Sequence, residues 1–122
     1  MGPSKACVLL VEDEWLIAEY LRDLLDDEGY EPYGPAASVA EALLLISQKR
    51  PDAAIVDFRL NGETSEPIAS ALAERGVPFV FLTGLTPQDL PTEFGDRPWV
   101  SKPIDSGKLS AQLREWLPRD DN

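Results

Sequence analysis

The most informative pattern in the sequence is a series of short apolar runs that each end in a polar or charged residue. Residues 6–11 and 53–56 are continuously apolar, and they are followed by Glu12 and by Asp57. Apolar runs of this length, bounded by turn-forming residues, are typical of strands that are buried on both faces of a sheet. Both segments are therefore predicted to be interior strands.

Three further segments complete the predicted strands. Residues 78–82 and 99–101 are mainly apolar and lead into Thr83 and Lys102. Residues 30–36 contain two prolines and a glycine, and proline cannot donate a hydrogen bond to a neighbouring strand. This segment therefore predicts only a short strand, toward an edge of the sheet.

Between these runs, apolar residues recur at the spacing of amphipathic helices. From Ile17 they fall at i, i+4, i+7 and i+8, which predicts a helix that starts at Trp15 and closes at Gly29. Similar spacing predicts helices over residues 38–50, 65–75 and 106–117.

Two local signals refine the helices. Ser38 and Glu41 have the spacing of a capping box, so the second helix is predicted to begin there. Residues 85–98 contain three prolines, and a proline in a helix interior costs about 3 kcal/mol. Any fourth helix in that segment is therefore predicted to be short or irregular.

Strands that alternate with helices predict an α/β fold with a doubly wound, five-stranded parallel sheet covered on both faces. Right-handed crossovers bring the carboxyl ends of such strands to one edge of the sheet, where ligands bind. We therefore expect five strand-end residues to meet there. They are Glu12, Asp13, Asp57, Thr83 and Lys102.

Length and composition narrow the function classes. The 122 residues predict one domain over residues 1–122, with a core at about 5–117, short tails and no output domain. A net charge of -11 opposes binding to nucleic acid and to anionic membranes. The sequence shows neither a secretion signal nor a membrane-spanning run. We therefore expect a cytoplasmic protein.

The rarity of sulfur and imidazole groups narrows the chemistry further. Cys7 is the single cysteine, and there is no histidine. An internal disulfide, a thiolate zinc site and histidine-dependent catalysis are therefore excluded. Carboxylates, a lysine and hydroxyl groups remain as candidates.

The strand-end residues suggest phosphoryl chemistry. Three converging carboxylates repel one another, and Mg²⁺, a hard cation that accepts one or two carboxylates and phosphate oxygens, relieves that repulsion. A cation held by Asp13 and Asp57 beside Lys102 would attract a phosphoryl group. Asp57 would then be the nucleophile, and the hydroxyl of Thr83 would donate to a phosphoryl oxygen.

Each of these residues also has a plain structural interpretation. Asp57 and Thr83 are common turn residues, and a lysine such as Lys102 is usually solvated. Residues 12–14 form an acidic cluster of the kind that the macrodipole favours at a helix N-terminus. The functional interpretation therefore depends on the whole set and its order.

That ordered set resembles the receiver domains of two-component response regulators, the CheY-like family. The matching motifs are Val11-Glu12-Asp13-Glu14, Val56-Asp57, Leu82-Thr83-Gly84 and Lys102-Pro103, and together they cover nearly the whole chain. The resemblance implies a flavodoxin-like fold with strand order 2-1-3-4-5. It also implies a cis peptide bond before Pro103.

The resemblance further implies a role for each site residue. Glu12, Asp13, Asp57 and the backbone carbonyl of Arg59 would bind Mg²⁺, with Asp57 as the phosphoacceptor. Thr83 and Lys102 would contact the phosphoryl group. The chain is most similar to stand-alone single-domain receivers, in which the fourth helix tends to be short or mobile.

The implied partners are a sensor histidine kinase or a histidine phosphotransfer protein of a phosphorelay, and a downstream protein that the sequence does not identify. Such a domain promotes its own phosphorylation and dephosphorylation only, and is not an enzyme acting on a free substrate. One alternative is a receiver fold that binds partners without phosphorylation. A haloacid-dehalogenase-like phosphatase would need an aspartate two positions after Asp57, where Arg59 stands. Trp99 is either a switch residue or a packed aromatic.

Overall fold

The computed structural model describes residues 5–84 and 97–117. In chain order, the elements of these residues are β1 (Cys7–Val11), α1 (Trp15–Asp27), β2 (Glu31–Ala36), α2 (Val39–Gln48), β3 (Ala53–Asp57), β4 (Arg59–Leu60), β5 (Glu63–Thr64), α3 (Glu66–Glu74), β6 (Phe79–Thr83), β7 (Trp99–Ser101) and α4 (Ser106–Trp116). Five strands form a parallel sheet in the order β2-β1-β3-β6-β7. This is the predicted 2-1-3-4-5 order.

Helices cover both faces of the sheet. Alternate residues of each strand point to opposite sides, so each strand packs against both helical layers. Leu9, Val56 and Phe81 pack on one face against α2 and α3. Leu10 and Ile55 pack on the other face against α1 and α4. Every residue of β1, β3 and β6 is buried, which confirms that these apolar runs are interior strands.

The strand β2 lies at an edge of the sheet, as its prolines predicted. Gly34 has φ 108, in the region that favours glycine. A Cβ atom at Gly34 would lie 2.9 Å from the carbonyl oxygen of Leu10 and 2.9 Å from the nitrogen of Ala36. The absence of a side chain at this position therefore allows β2 to approach β1.

Side-chain caps set the start of two helices. Ser38 Oγ accepts a hydrogen bond of 3.1 Å from the backbone N–H of Glu41, as the capping spacing predicted. Asp105 Oδ1 accepts a bond of 3.1 Å from the backbone N–H of Lys108 at the start of α4. These caps fix where the loops after β2 and β7 end.

Residues 59–64, which the sequence analysis did not assign to any strand, form an antiparallel hairpin in which Arg59 pairs with Thr64 and Leu60 pairs with Glu63. Asn61 has φ 47 and Gly62 has φ 85, and two successive left-handed residues match the turn type that an Asn-Gly pair favours.

The peptide bond between Lys102 and Pro103 is cis, as the resemblance implied. The bond between Gly34 and Pro35 is also cis, which the sequence did not suggest. The predicted short fourth helix falls within residues 85–98, most of which lie outside the described residues. In the part of the chain that is described, no helix combines the length and apolar character needed to cross a bilayer.

Candidate functional site

The strand ends converge because β1, β3, β6 and β7 are parallel and in register. Asp57 pairs with Leu82 and Thr83 pairs with Ser101, so residues that follow these strands reach the same level. Four of the five predicted residues line one cavity of about 440 Å³. They are Asp13, Asp57, Thr83 and Lys102.

The fifth predicted residue, Glu12, is buried and only 1% exposed. One carboxylate oxygen from each of Glu12, Asp13 and Asp57 can be chosen so that all three lie within 4.8 Å of one another. The structure therefore brings together all five residues that the sequence singled out.

The Lys102 ammonium group lies among these acids. Lys102 Nζ is 3.0 Å from Asp57 Oδ2 and 3.4 Å from Glu12 Oε1. Glu12 Oε1 is buried, and apart from this ion pair none of the described residues donates a hydrogen bond to it. Three carboxylates beside one ammonium group leave an excess of negative charge, which a divalent cation would neutralise.

The donor set fits Mg²⁺. Carboxylate oxygens are hard ligands, and Mg²⁺ commonly takes one or two of them and keeps part of its water shell for exchange with phosphate oxygens. Glu12 Oε1 is paired with the Lys102 ammonium at 3.4 Å, and as a buried acceptor it would accept a further contact from a cation or its water. The site is therefore suited to a divalent cation and a phosphoryl group together.

Burial and repulsion raise the pKa of Glu12 from its ordinary 4.5 to about 7, chiefly because burial disfavours the charged form and next because Asp57 is negative. Burial alone would lower the pKa of Lys102. Its hydrogen bond to Asp57 and the charges of Asp57 and Glu12 outweigh burial, so the net shift is upward. Lys102 is therefore held as an ammonium group.

Backbone N–H groups orient the carboxylates. Glu12 Oε2 accepts from the N–H of Glu14 at 3.1 Å, and Asp57 Oδ1 accepts from the N–H of Arg59 at 3.3 Å. The Arg59 residue itself is exposed and lines the cavity. Its position two residues after Asp57 places it on the first strand of the hairpin.

Sequence reasoning missed Asn61. Its backbone N–H donates to Asp13 Oδ2 at 3.1 Å, and it lines the same cavity with Gly62. The Asn-Gly pair was visible in the sequence and is a strong hairpin signal, but nothing in the spacing indicated that the turn would reach back to Asp13.

Thr83 and Gly84 form another wall of the cavity. Thr83 is 3% exposed, and its carbonyl accepts a hydrogen bond from the N–H of Lys102 at 3.1 Å. This bond joins the ends of β6 and β7. Among the described residues, no atom lies within 4 Å of a Cβ atom built at Gly84, so these residues leave that side of the cavity open.

An apolar surface borders the site. We call it the α1 apolar patch, and its members are Trp15, Leu16, Ile17, Tyr20, Pro103 and Ile104. Trp15, Leu16 and Tyr20 are 71%, 68% and 47% exposed. Most of these residues line a groove of about 320 Å³ that also includes Lys102, so the groove and the acidic cavity share this residue.

Trp99 lies on β7, apart from the acidic cavity. Its ring is half-buried, and Lys108 Nζ lies 4.7 Å from the ring centroid, within the range of a cation–π contact. Trp99 thus packs at the rim of the fold in this structure. Whether it also acts as a switch stays a prediction.

Comparison with known proteins agrees with this geometry. A sequence model of the family described as the response regulator receiver domain matches residues 8–114. The transcriptional regulatory protein PdtaR of Mycobacterium tuberculosis is 37% identical over 84 residues, which are 68% of this chain and 41% of PdtaR. The chain spans 41% to 51% of the length of the first curated relatives that it matches.

Solved structures extend the similarity over nearly the whole chain. The solution structure of SdrG from Sphingomonas melonis Fr1 has a TM-score of 0.80 and 39% identity, covering 93% of this chain and 97% of SdrG. The BeF3-activated conformation of SdrG from Pseudomonas melonis Fr1 has a TM-score of 0.76 and 38% identity, with the same coverage of both chains.

Proposed function

Because the chain belongs to the response regulator receiver domain family, we propose that it is a phosphorylation-dependent switch in which Asp57 accepts the phosphoryl group. Receiver domains are signalling modules rather than enzymes that turn over a free substrate. The observation that carries the proposal is the position of Asp57, which lies between acids and an ammonium group on the wall of an open cavity.

The proposed reaction is a transfer from a phosphohistidine. A carboxylate oxygen of Asp57 attacks phosphorus and the phosphorus–nitrogen bond of the donor breaks. The ring nitrogen keeps the electron pair of that bond and takes up a proton, which leaves a neutral imidazole. Hydrolysis later releases inorganic phosphate and restores the carboxylate.

Glu12, Asp13, Asp57 and the backbone carbonyl of Arg59 would hold Mg²⁺. When bound, this ion would supply positive charge that lowers the repulsion between the phosphoryl oxygens and the acids. The protein's own contribution is to hold the carboxylates close together before the donor arrives. The site then does not have to reorganise during the transfer.

Lys102 and Thr83 would act on the other side of the phosphoryl group. The Lys102 ammonium pairs with Asp57 in the structure and would pair with a phosphoryl oxygen after transfer. The Thr83 hydroxyl would donate to another phosphoryl oxygen. A new contact at Thr83 is a means by which the state of Asp57 would alter the surface around β6 and β7.

We further propose that the donor is a sensor histidine kinase or a histidine phosphotransfer protein that contacts the α1 apolar patch. The patch lies beside the cavity and shares Lys102 with it. Exposed Trp15, Leu16 and Tyr20 offer the apolar area that protein interfaces use at their centre. A donor bound there would present its phosphohistidine toward Asp57.

The test is phosphoryl uptake and mimicry at Asp57. With Mg²⁺ present, wild-type protein is incubated with acetyl phosphate and followed by intact mass, and it is titrated with beryllium fluoride while Trp fluorescence is recorded. With acetyl phosphate we expect the mass of one added phosphoryl group. With beryllium fluoride we expect a saturable change in fluorescence, because it binds the carboxylate as a mimic of the phosphoryl group.

Two variants define the controls. Asp57→Asn is expected to lose both responses, and Asp23→Asn, at an exposed position on α1, is expected to keep them. A wild type that responds to neither reagent, or an Asp57→Asn variant that responds equally, contradicts the phosphoacceptor proposal. The first outcome favours a receiver fold that binds partners without phosphorylation.

A further inference from the structure

Asn61 connects three loops that surround the cavity. Its backbone N–H donates to Asp13 Oδ2 at 3.1 Å, in the loop after β1. Its side-chain Nδ2 donates to the carbonyl oxygen of Ala37 at 3.3 Å, in the loop after β2. Asn61 itself belongs to the hairpin after β3, so one residue joins the ends of three neighbouring strands.

The hairpin also aligns two carboxylates through alternate residues of one segment. In extended backbone, the N–H groups of residues i and i+2 point to the same side. The N–H of Arg59 meets Asp57, and the N–H of Asn61 meets Asp13. The segment from residue 59 to 61 therefore contacts both acids from one direction.

The backbone conformation of Asn61 suits this contact. Its φ of 47 lies in the left-handed region, which asparagine adopts more readily than most residues with a side chain. The pairing of Leu60 with Glu63 closes the turn on the other side. The N–H of Asn61 is thus held in place by the turn and by the bond from Nδ2 to Ala37.

We propose that Asn61 is a positioning residue that orients the carboxylate of Asp13 for a divalent cation. The proposal rests on the proposed function, because it assumes that Asp13 binds Mg²⁺. A carboxylate that is held by a hydrogen bond loses less rotational freedom when it binds a cation, and partners of metal ligands commonly affect metal affinity for this reason.

Two substitutions separate the contributions of Asn61. Asn61→Ala removes the bond to Ala37 and disfavours the left-handed backbone. Asn61→Gly also removes that bond but allows the left-handed backbone. We expect Asn61→Ala to raise the Kd for Mg²⁺ by roughly threefold to tenfold, and Asn61→Gly to raise it by less.

The measurement is a titration with MgCl2 alone, in the absence of any phosphoryl donor, followed by Trp fluorescence. The free energy of unfolding without Mg²⁺ is measured in parallel. Thr64→Gly is the matched control, because Thr64 pairs with Arg59 across the hairpin and lies outside the residues that line the cavity, while glycine weakens a strand. This control weakens the same hairpin without removing a contact to Asp13 or Ala37.

The proposal expects Thr64→Gly to lower the free energy of unfolding while the Kd for Mg²⁺ stays close to that of the wild type. An equal loss of affinity in Thr64→Gly and Asn61→Ala overturns it, since hairpin integrity alone then explains the effect. Unchanged affinity in both Asn61 variants also overturns it. If Asn61→Ala does not fold, Asn61→Gly decides. A wild type that does not bind Mg²⁺ instead contradicts the metal site of the proposed function.

Discussion

Lys102 Nζ lies 3.0 Å from Asp57 Oδ2, although the two residues are 45 positions apart in the sequence. The same nitrogen is 3.4 Å from Glu12 Oε1. The side chains of Glu12 and Asp57 are 0% and 7% exposed, whereas that of Lys102 is 23% exposed. One partly buried ammonium group thus pairs with two buried carboxylates. Removing the positive charge should lower the stability of the fold, and removing one negative charge should raise it.

Replacing the cation should destabilise the fold when Mg²⁺ is absent. We expect Lys102→Met to lower the free energy of unfolding at pH 8 by about 1–3 kcal/mol, because Asp57 and Glu12 lose their ion-pair partner. Urea denaturation in the presence of a chelator measures the change. Lys49→Met is the control, since its pair with Glu31 is more than half exposed on both sides and contributes little. Equal losses in the two variants would contradict the prediction.

Replacing the buried acid should have the opposite sign. Because the pKa of Glu12 is raised from 4.5 to about 7, the folded protein binds a proton in this range more readily than the unfolded chain. The stability that this group contributes therefore falls by at most about 3 kcal/mol as the pH rises from 4.5 to 7, and it is constant above pH 7. Glu12→Gln should remove this fall and be more stable than the wild type at pH 8.

Urea denaturation without Mg²⁺ at several pH values checks this prediction. The difference between Glu12→Gln and the wild type should grow between pH 4.5 and 7. The same variant should bind Mg²⁺ more weakly, because it lacks one carboxylate. Parallel pH profiles for the two proteins would show that Glu12 titrates normally in the folded state.

The helix cap at Ser38 should contribute to stability without affecting the site. We expect Ser38→Ala to lower the free energy of unfolding by about 1 kcal/mol, because the N–H of Glu41 loses its acceptor. Ser70→Ala, at an exposed position within α3, should leave stability nearly unchanged. Beryllium fluoride titrations of Ser38→Ala should match those of the wild type, and an altered response would show that the cap reaches the cavity.

The α1 apolar patch should matter for protein donors only. We expect Leu16→Ser to slow phosphoryl transfer from a cognate histidine kinase by about tenfold or more, the equivalent of losing one buried leucine side chain. Its reaction with acetyl phosphate should be unchanged, because a small donor does not need the patch. Transfer is measured with radiolabelled kinase.

Leu44→Ser is the matched control for that experiment. Leu44 is 57% exposed but lies on α2, away from the groove that contains Leu16. Leu44→Ser should leave both the rate of transfer from the kinase and the rate of reaction with acetyl phosphate unchanged. If Leu16→Ser and Leu44→Ser behave identically with the kinase, the donor does not bind at the patch.

Much of this fold was predictable because buried parallel strands leave a simple signal. The runs that became β1 and β3 are apolar throughout, and each is followed directly by an acidic residue. The five site residues followed from the same signal, since each stands where a strand ends. Their convergence then required only the handedness of the crossovers.

The features that the sequence did not predict depend on tertiary contacts. The strands β4 and β5 are two residues each, too short to show alternation, so only the Asn-Gly turn marked them. The bond from Asn61 to Asp13 joins residues 48 positions apart and depends on the direction of a hairpin. The raised pKa of Glu12 depends on burial, which a row of three acids does not reveal.

The prolines of β2 limit how this sheet can associate. The N–H of Glu31 points inward and donates to the carbonyl oxygen of Ala6 at 2.8 Å. Successive N–H groups alternate in direction along a strand, so Pro32 faces outward, where it offers no donor. A strand of another molecule that paired with this edge of the sheet would lack one backbone hydrogen bond at Pro32. Backbone pairing with a strand of another molecule is therefore disfavoured along β2.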